Sequence, residues 1–355
     1  MDKPCGRSAA GAMIGVATAM RLIWHFSIVD NAAYNSAWLC PLIGFIFFLP
    51  IGYAIKALSQ ETCGCAFNAP FLSEKAPLGR IIASVSFLLL SIDAAQNVLL
   101  LSHTANIMAL GEVPIWLVSI AFALLAFICA FLGMQAEGRS AMIWLRIMIP
   151  LLAVMVIVQF GSYRPEWLTP IFGGGFKAIF SGGLRSAAYI SLLSLPWLIC
   201  AEDHSRRNVT AYTFAGAVAA SVMLLLFAML SPAMVKTSFS RSARIELILS
   251  NGRVHLLLQM ITVVLWFASL LHLTAAECSS AAAFLGKTAS KCSKLIASAI
   301  TAIIVYIIAV TGLLSSDVFA EYFYALLYPF ICLMLIVAAA FAYAAKKREP
   351  NAKCN

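Results

Sequence analysis

Few residues of this chain can do chemistry, and they stand out because their surroundings are apolar. Arg21, Asp93, Gln96, Asn97 and Arg185 all lie inside stretches otherwise fit for lipid. A charge at the centre of a bilayer costs several kcal/mol, so such residues mark pathways or binding sites by default. Asp93 shares a helix face with Gln96 or Asn97 through its three- and four-residue spacing. Arg21 and Arg185 fall about nine or ten residues into their stretches, near mid-depth at a rise of about 1.5 Å per residue. Asp93 can neutralise only one of these arginines. A spare buried cation is costly, and a guanidinium fork takes a carboxylate bidentately. The pattern therefore points to a ligand bearing a carboxylate, such as an amino acid or organic acid. The alternative is that one arginine snorkels or packs against carbonyls. Thr18, Tyr189, Ser191, Ser194, Trp266 and Ser269 are the uncharged candidates around the same centre.

This is chemistry of holding rather than of bond breaking. The chain has five histidines but no H-E-x-x-H, no G-x-S-x-G and no paired intramembrane aspartates. We therefore expect no enzyme, no catalytic residue and no cofactor. A C-x-C at Cys63 and Cys65 has no second ligand pair near it, so a thiol pair is expected there rather than a metal site. A purely structural scaffold remains a further alternative.

The segment that must position the central residues is 164–203. It opens on a Pro/Trp-rich loop and Gly173-Gly174-Gly175, then runs apolar for the length of a span. Gly182-Gly183, Arg185, two serines and Pro196 interrupt it. Lipid offers no water to satisfy freed backbone groups, so a span broken this way must line a cavity or pack inside protein. Pro196 removes one donor and frees the carbonyl of Leu192. A distorted stretch is expected between Ser191 and Pro196, beside the first span around Thr18. A Pro-kinked packing helix is the plainer reading.

The rest of the chain agrees with a membrane setting. Of 355 residues, 62% are hydrophobic and 11% charged, against roughly 25% charged in soluble domains. The net charge of +9 is scattered through short loops, which argues against a nucleic-acid surface. Ten apolar stretches approach the roughly 20 residues a span needs: 11–29, 38–58, 81–101, 113–134, 141–162, 176–201, 209–231, 254–277, 294–314 and 319–345. Ten divide as five plus five, and an odd number per half inverts the second half relative to the first. The expected architecture is all-α and polytopic, a single membrane domain with an inverted repeat of 1–162 and 163–345, helices one and six broken, and a tail at 346–355. His272 and Glu277, near the end of the eighth stretch, are expected to line only a cytoplasmic mouth, and Arg146 to snorkel.

With these residues placed, the chain resembles the permease-like subunits of spore germinant receptors, the GerAB type, a branch of the amino acid–polyamine–organocation transporter superfamily. Gly111-Glu112-Val113-Pro114-Ile115-Trp116 is similar to the Pro-containing turn that opens span four. Glu137-Gly138-Arg139, Arg146 and Pro150 resemble the Gly…Arg…Pro pattern of span five. Leu168-Thr169-Pro170 with Gly175 and Gly182 resembles the entry to span six, and Asp30 to Trp38 the acidic–Trp boundary before span two. The first span departs, reading Ala17-Thr18-Ala19-Met20-Arg21 where the superfamily has a glycine-rich break. The resemblance implies a LeuT-type fold, a small germinant such as an amino acid, sister receptor subunits as partners, and residence in the spore inner membrane or cell membrane. An ion-coupled amino acid permease, driven by protons or sodium, is the alternative.

Loop charges orient the chain. With the N-terminus inside, Lys3, Arg7, Lys56, Lys75, Arg80, Arg139, Arg206, Arg207, Lys287, Lys291, Lys294 and the basic residues from Lys346 onward share the inner side. Arg164, Lys177, Lys236, Arg241, Arg244 and Arg253 fall outside, four of them in the 232–253 loop, read as a short surface helix or a plain loop. Membrane-impermeant labelling of single introduced cysteines is expected to reach 232–253 from outside. It should reach neither terminus nor 287–294, and an external C-terminus would remove the inverted repeat.

Overall fold

The computed structural model describes residues 6–25, 34–61, 67, 76–106, 113–158, 163–169, 172, 175–200, 208–230, 256–289, 292–311 and 317–348. The 232–253 loop and the Cys63–Cys65 pair lie outside them. Ten α-helices run through the described residues: α1 (Arg7–Trp24), α2 (Cys40–Glu61), α3 (Pro77–Ala105), α4 (Ile115–Leu132), α5 (Met134–Val158), α6 (Gly175–Ser194), α7 (Val209–Leu230), α8 (Leu256–Thr288), α9 (Lys294–Val310) and α10 (Asp317–Arg348). Their boundaries follow local chemistry. Pro77 occupies the first turn of α3, where a missing N–H costs nothing. Gly133, with φ +84°, separates α4 from α5. The Ser293 hydroxyl caps α9 by accepting from the Ile296 N–H at 3.3 Å.

Each expected span has its helix. Among the described residues, five stretches of helix are long and apolar enough to cross a membrane: Ser36–Ser59, Pro77–Ala105, Ile115–Leu132, Gly175–Ile199 and Val209–Met229. Large apolar side chains such as Leu124, Ile128, Ile143, Ile303 and Leu333 face outward, as lipid contact requires. Serines, threonines and several ionisable groups are buried instead. This inside-out distribution of polarity is the physical signature of a polytopic membrane protein.

Packing divides the helices into groups that exchange when the halves of the chain are exchanged. The α2–α6 and α1–α7 contacts correspond under such a swap, and α3–α8 and α4–α9 each map onto themselves. Thus α1, α2, α6 and α7 form one body and α3, α4, α8 and α9 another, with α5 lying on α1 and α10 on α2 and α6. Small residues bring the first body together. A Cβ added at Gly44 of α2 would lie 2.3 Å from Ser186 Cβ of α6, and one at Gly183 would meet Ile43 Cγ2 at 2.4 Å. Across the corresponding pair, a Cβ at Gly216 of α7 would meet the Gly15 carbonyl at 2.5 Å. Lipid gives no hydrophobic drive for helix association, so close van der Waals contact through small residues must supply it.

The sixth span is distorted where the sequence places the break. Regular α-helix ends at Ser194, and Leu195–Ile199 continue as 3₁₀-helix. The first span differs from expectation in position. It is regular α-helix past Thr18 as far as Trp24, and the backbone widens only at His25. Thr18 packs beside Gly216 of α7, and a helix with small, tightly packed neighbours has no need to open there.

The glycine contacts carry a direct test. Gly216→Val and Gly44→Val are expected to lower thermal stability in detergent, by about 1–3 kcal/mol each, as overpacking does. Gly286→Val should be nearly silent, because a Cβ there meets nothing within 4 Å. Equal melting of all three variants would contradict the close helix approach.

Candidate functional site

The residues singled out in the sequence converge on one guanidinium. Arg21 of α1 is 5% exposed and Asp93 of α3 is fully buried. Arg21 Nη2 lies 2.5 Å from Asp93 Oδ1, and Nη1 donates to Asn97 Oδ1 at 2.7 Å. Nη2 also reaches Gln96 Oε1 at 3.1 Å and Tyr324 Oη of α10 at 3.0 Å. Tyr324 donates in turn to Asp93 Oδ1 at 2.7 Å and lies against Gln96 Oε1. The flat guanidinium stacks over Tyr189 of α6, its Cζ 4.4 Å from the ring centroid, a cation–π contact strengthened by the absence of water. Tyr189 Oη and His25 Nδ1 are 2.9 Å apart. One cation thus ties together side chains from α1, α3, α6 and α10.

A second carboxyl joins from α8. Asn97 Nδ2 donates to Glu277 Oε2 at 2.8 Å while Asn97 Oδ1 accepts from Arg21, so one amide, on the α3 face it shares with Asp93, brings Glu277 into the cluster. Glu277 is 1% exposed, far from the role at a cytoplasmic mouth that its place in the sequence suggested. The eighth apolar stretch ends at 277, but α8 continues to Thr288, about three turns further. Apart from Phe284 and Leu285, those turns are mostly small and polar residues, and none of 278–288 is exposed, so they pack against protein rather than lipid. His272 lies on another face of α8, with Nδ1 2.6 Å from Glu137 Oε1 of α5. Arg146 is exposed.

Beside this cluster is a small cavity. It is walled by Met13, Ile14 and Ala17 of α1, Leu90 of α3, Leu193 and Pro196 at the distortion of α6, and Ala276, Glu277 and Ser280 of α8. Its free volume of about 10 Å³ for water centres is roughly what one water needs. The cavity therefore lies where four helices and a helix distortion meet.

The other candidate residues have surroundings of their own. Ser191, Ser194 and Ser269 are buried, and each hydroxyl donates to its own helix, to Ala187 O at 2.5 Å, Ser191 O at 2.7 Å and Leu265 O at 2.5 Å. Thr18 is buried beside α7. Arg185 is half-buried on α6, four residues and so about one turn from Tyr189. The Trp266 side chain lies outside the described residues. Among the described residues, no group of three His, Cys, Asp or Glu is placed to hold a metal ion. Sequence reasoning missed Tyr324 and the central place of Glu277. A tyrosine near a span end reads as an interfacial anchor, and only the α10 packing on α2 and α6 brings it inward.

No protein-family model matches the sequence, and no curated protein does. Solved structures do match its fold. The chain superposes on MhsT in complex with L-phenylalanine with a TM-score of 0.70 at 16% identity, covering 94% of this chain and 89% of that one. It matches Mhp1, a nucleobase-cation-symport-1 family transporter in a closed conformation with bromovinylhydantoin bound, at TM-score 0.64 and 13% identity, covering 94% and 78%. A mutant manganese transporter of Eremococcus coleocola follows at TM-score 0.55 and 14% identity, covering 95% and 77%. The protein has a LeuT-type fold of ten transmembrane helices arranged as a five-plus-five inverted repeat.

Proposed function

We propose that this chain is a permease-like receptor subunit of the spore-germination GerAB type. It binds a small germinant, such as an amino acid, at the junction of α1, α3, α6 and α8, where this conformation leaves room for about one water and the helices must part to admit it, and it signals through sister subunits in the spore inner membrane. Residues 1–162 and 163–345 are its two repeats, 346–355 its tail, and both termini are cytoplasmic. The observation that carries the reading is the position of the cavity, at the distortion of α6 and against α1, α3 and α8. Broken helices at a repeat interface are where carriers of this architecture hold small molecules. Two proteins of similar fold are described with an amino acid and a hydantoin bound.

A receptor reading is favoured over turnover by how firmly the two helical bodies are tied. Arg21 belongs to one body and Asp93 and Asn97 to the other. Transport by rocking one body against the other would have to separate a buried ion pair. The second reading, an ion-coupled amino acid permease, is supported by the fold shared with transporters. We assign the ligand carboxylate to Arg185, whose half-buried side chain stands about one turn from Tyr189 on α6.

Binding of each common radiolabelled L-amino acid to the purified chain in nanodiscs, alongside uptake into proteoliposomes, separates the readings. Saturable binding without concentrative uptake is expected, and concentrative uptake would favour the permease. Arg185→Gln should weaken binding about tenfold or more, the scale of one lost charge-assisted hydrogen bond. Binding unchanged in that variant would remove the carboxylate clamp.

The ion pair has its own test. Arg21→Gln leaves Asp93 buried without its counter-ion and should cost about 3–5 kcal/mol of stability. Adding Asp93→Asn should recover much of that loss. Equal melting of the single and double variants would show that the pair is not coupled.

A further inference from the structure

Arg21, Asp93 and Glu277 leave a charge unbalanced. All three are buried, and one guanidinium faces two carboxyls. Asp93 accepts from Arg21 and from Tyr324, both through Oδ1. Glu277 accepts, among the described residues, from the neutral amide of Asn97 alone, through Oε2. Among the described residues, Asp93 Oδ2 and Glu277 Oε1 have no partner, although both are shut away from water. A buried polar atom without a partner is costly, and a buried uncompensated charge more so.

We propose that Glu277 is a proton-binding site: it is un-ionised in this conformation, and its carboxyl O–H donates to Asp93. A single proton gives both orphan oxygens a partner and brings the cluster to neutrality. It also places the chemical reaction, Glu277 carboxylate plus a proton giving the carboxylic acid, on the wall of the central cavity. This rests on the reading of that cavity as the ligand site only in making the proton the ion linked to the ligand.

A sodium ion would serve the same charge balance but is poorly provided for. Sodium in carriers of this architecture uses oxygens from unwound helices. Along the cavity α1 and α8 are unbroken, so their carbonyls are engaged within the helices, and the distortion of α6 at Pro196 frees one carbonyl where a sodium site would need several. Among the described residues, only Glu277 and Ser280 bring side-chain oxygens to the wall, and the Ser280 hydroxyl donates to Ala276 O at 2.6 Å. The remaining wall is apolar.

The other ionisable groups around α8 do not relieve Glu277. From α4 and α5 come Cys129 and Glu137, which act on the neighbouring Cys278, and Glu137 is taken by His272. On α9, Lys294 is exposed and lies over Phe131, and Tyr306 is half-exposed. The 3₁₀ segment Leu195–Ile199 carries only apolar side chains. Arg21 and Asp93 are thus the charges that face Glu277.

Infrared spectroscopy of the full chain in lipid reads the proton directly. At neutral pH, without ligand, we expect a carbonyl band from an un-ionised carboxylic acid. Carbon-13 labelling of glutamate should shift it and labelling of aspartate should not. Glu277→Gln should lose the band, and Glu137→Gln should keep it. Replacing choline chloride with sodium chloride should leave it unchanged. No such band in the wild-type chain, a shift on aspartate labelling, survival in Glu277→Gln, loss in Glu137→Gln, or a saturable sodium-dependent loss would each overturn the assignment. Neither ligand binding nor uptake enters the measurement. A failure here leaves the germinant reading standing, and absence of amino-acid binding leaves the proton standing.

Discussion

A guanidinium held inside a membrane is the constraint on which the centre of this protein depends. Removing an arginine from water carries a penalty of several kcal/mol that only close, well-directed partners offset. Arg21 has them at both terminal nitrogens and on one face: a carboxylate, two side-chain amides and a phenol for Nη1 and Nη2, and the ring of Tyr189 under the guanidinium plane. The partners come from three parts of the sequence, Asp93, Gln96 and Asn97 on α3, Tyr189 on α6 and Tyr324 on α10, so satisfying one charge fixes the relative placement of α1, α3, α6 and α10. Asn97 extends the same network to α8 through Glu277. The polar core thereby specifies which helices meet, a task that apolar side chains in lipid perform poorly because lipid is as apolar as they are.

The glycine contacts are the complement of that network. Polar groups define the centre, and absent side chains define how closely the surrounding helices approach. The α2–α6 and α1–α7 pairs both rely on glycine at the crossing, on both sides of the exchange that relates the halves of the chain. At 16% identity or less to its structural neighbours, the chain keeps the arrangement through packing geometry rather than through shared residues.

What could be read in the sequence was what depends on local composition. Ten apolar stretches gave ten helices, and Pro196 marked the distortion of α6, because a missing N–H acts wherever the proline sits. Arg21, Asp93 and Asn97 were legible because charge and amide in an apolar run have few explanations. Glu277 was misplaced because hydropathy measures contact with lipid, and the last turns of α8 contact protein. The hydroxyls were harder still. Ser191, Ser194 and Ser269 satisfy themselves on their own helices, an option open to any helical serine, so residue type alone says nothing of where they point.

The change from α to 3₁₀ geometry after Ser194 has a dimension as well as a shape. Five residues, Leu195 to Ile199, advance about 10 Å at the roughly 2.0 Å rise of a 3₁₀-helix. The same five would advance about 7.5 Å at the roughly 1.5 Å rise of an α-helix. The segment is therefore a strut with two natural lengths, differing by roughly 2.5 Å. That difference is close to the width of the single water for which the adjoining cavity has room. Rewinding one short piece of chain, where Pro196 has no N–H to lose, would alter the strut by the size of the space it borders.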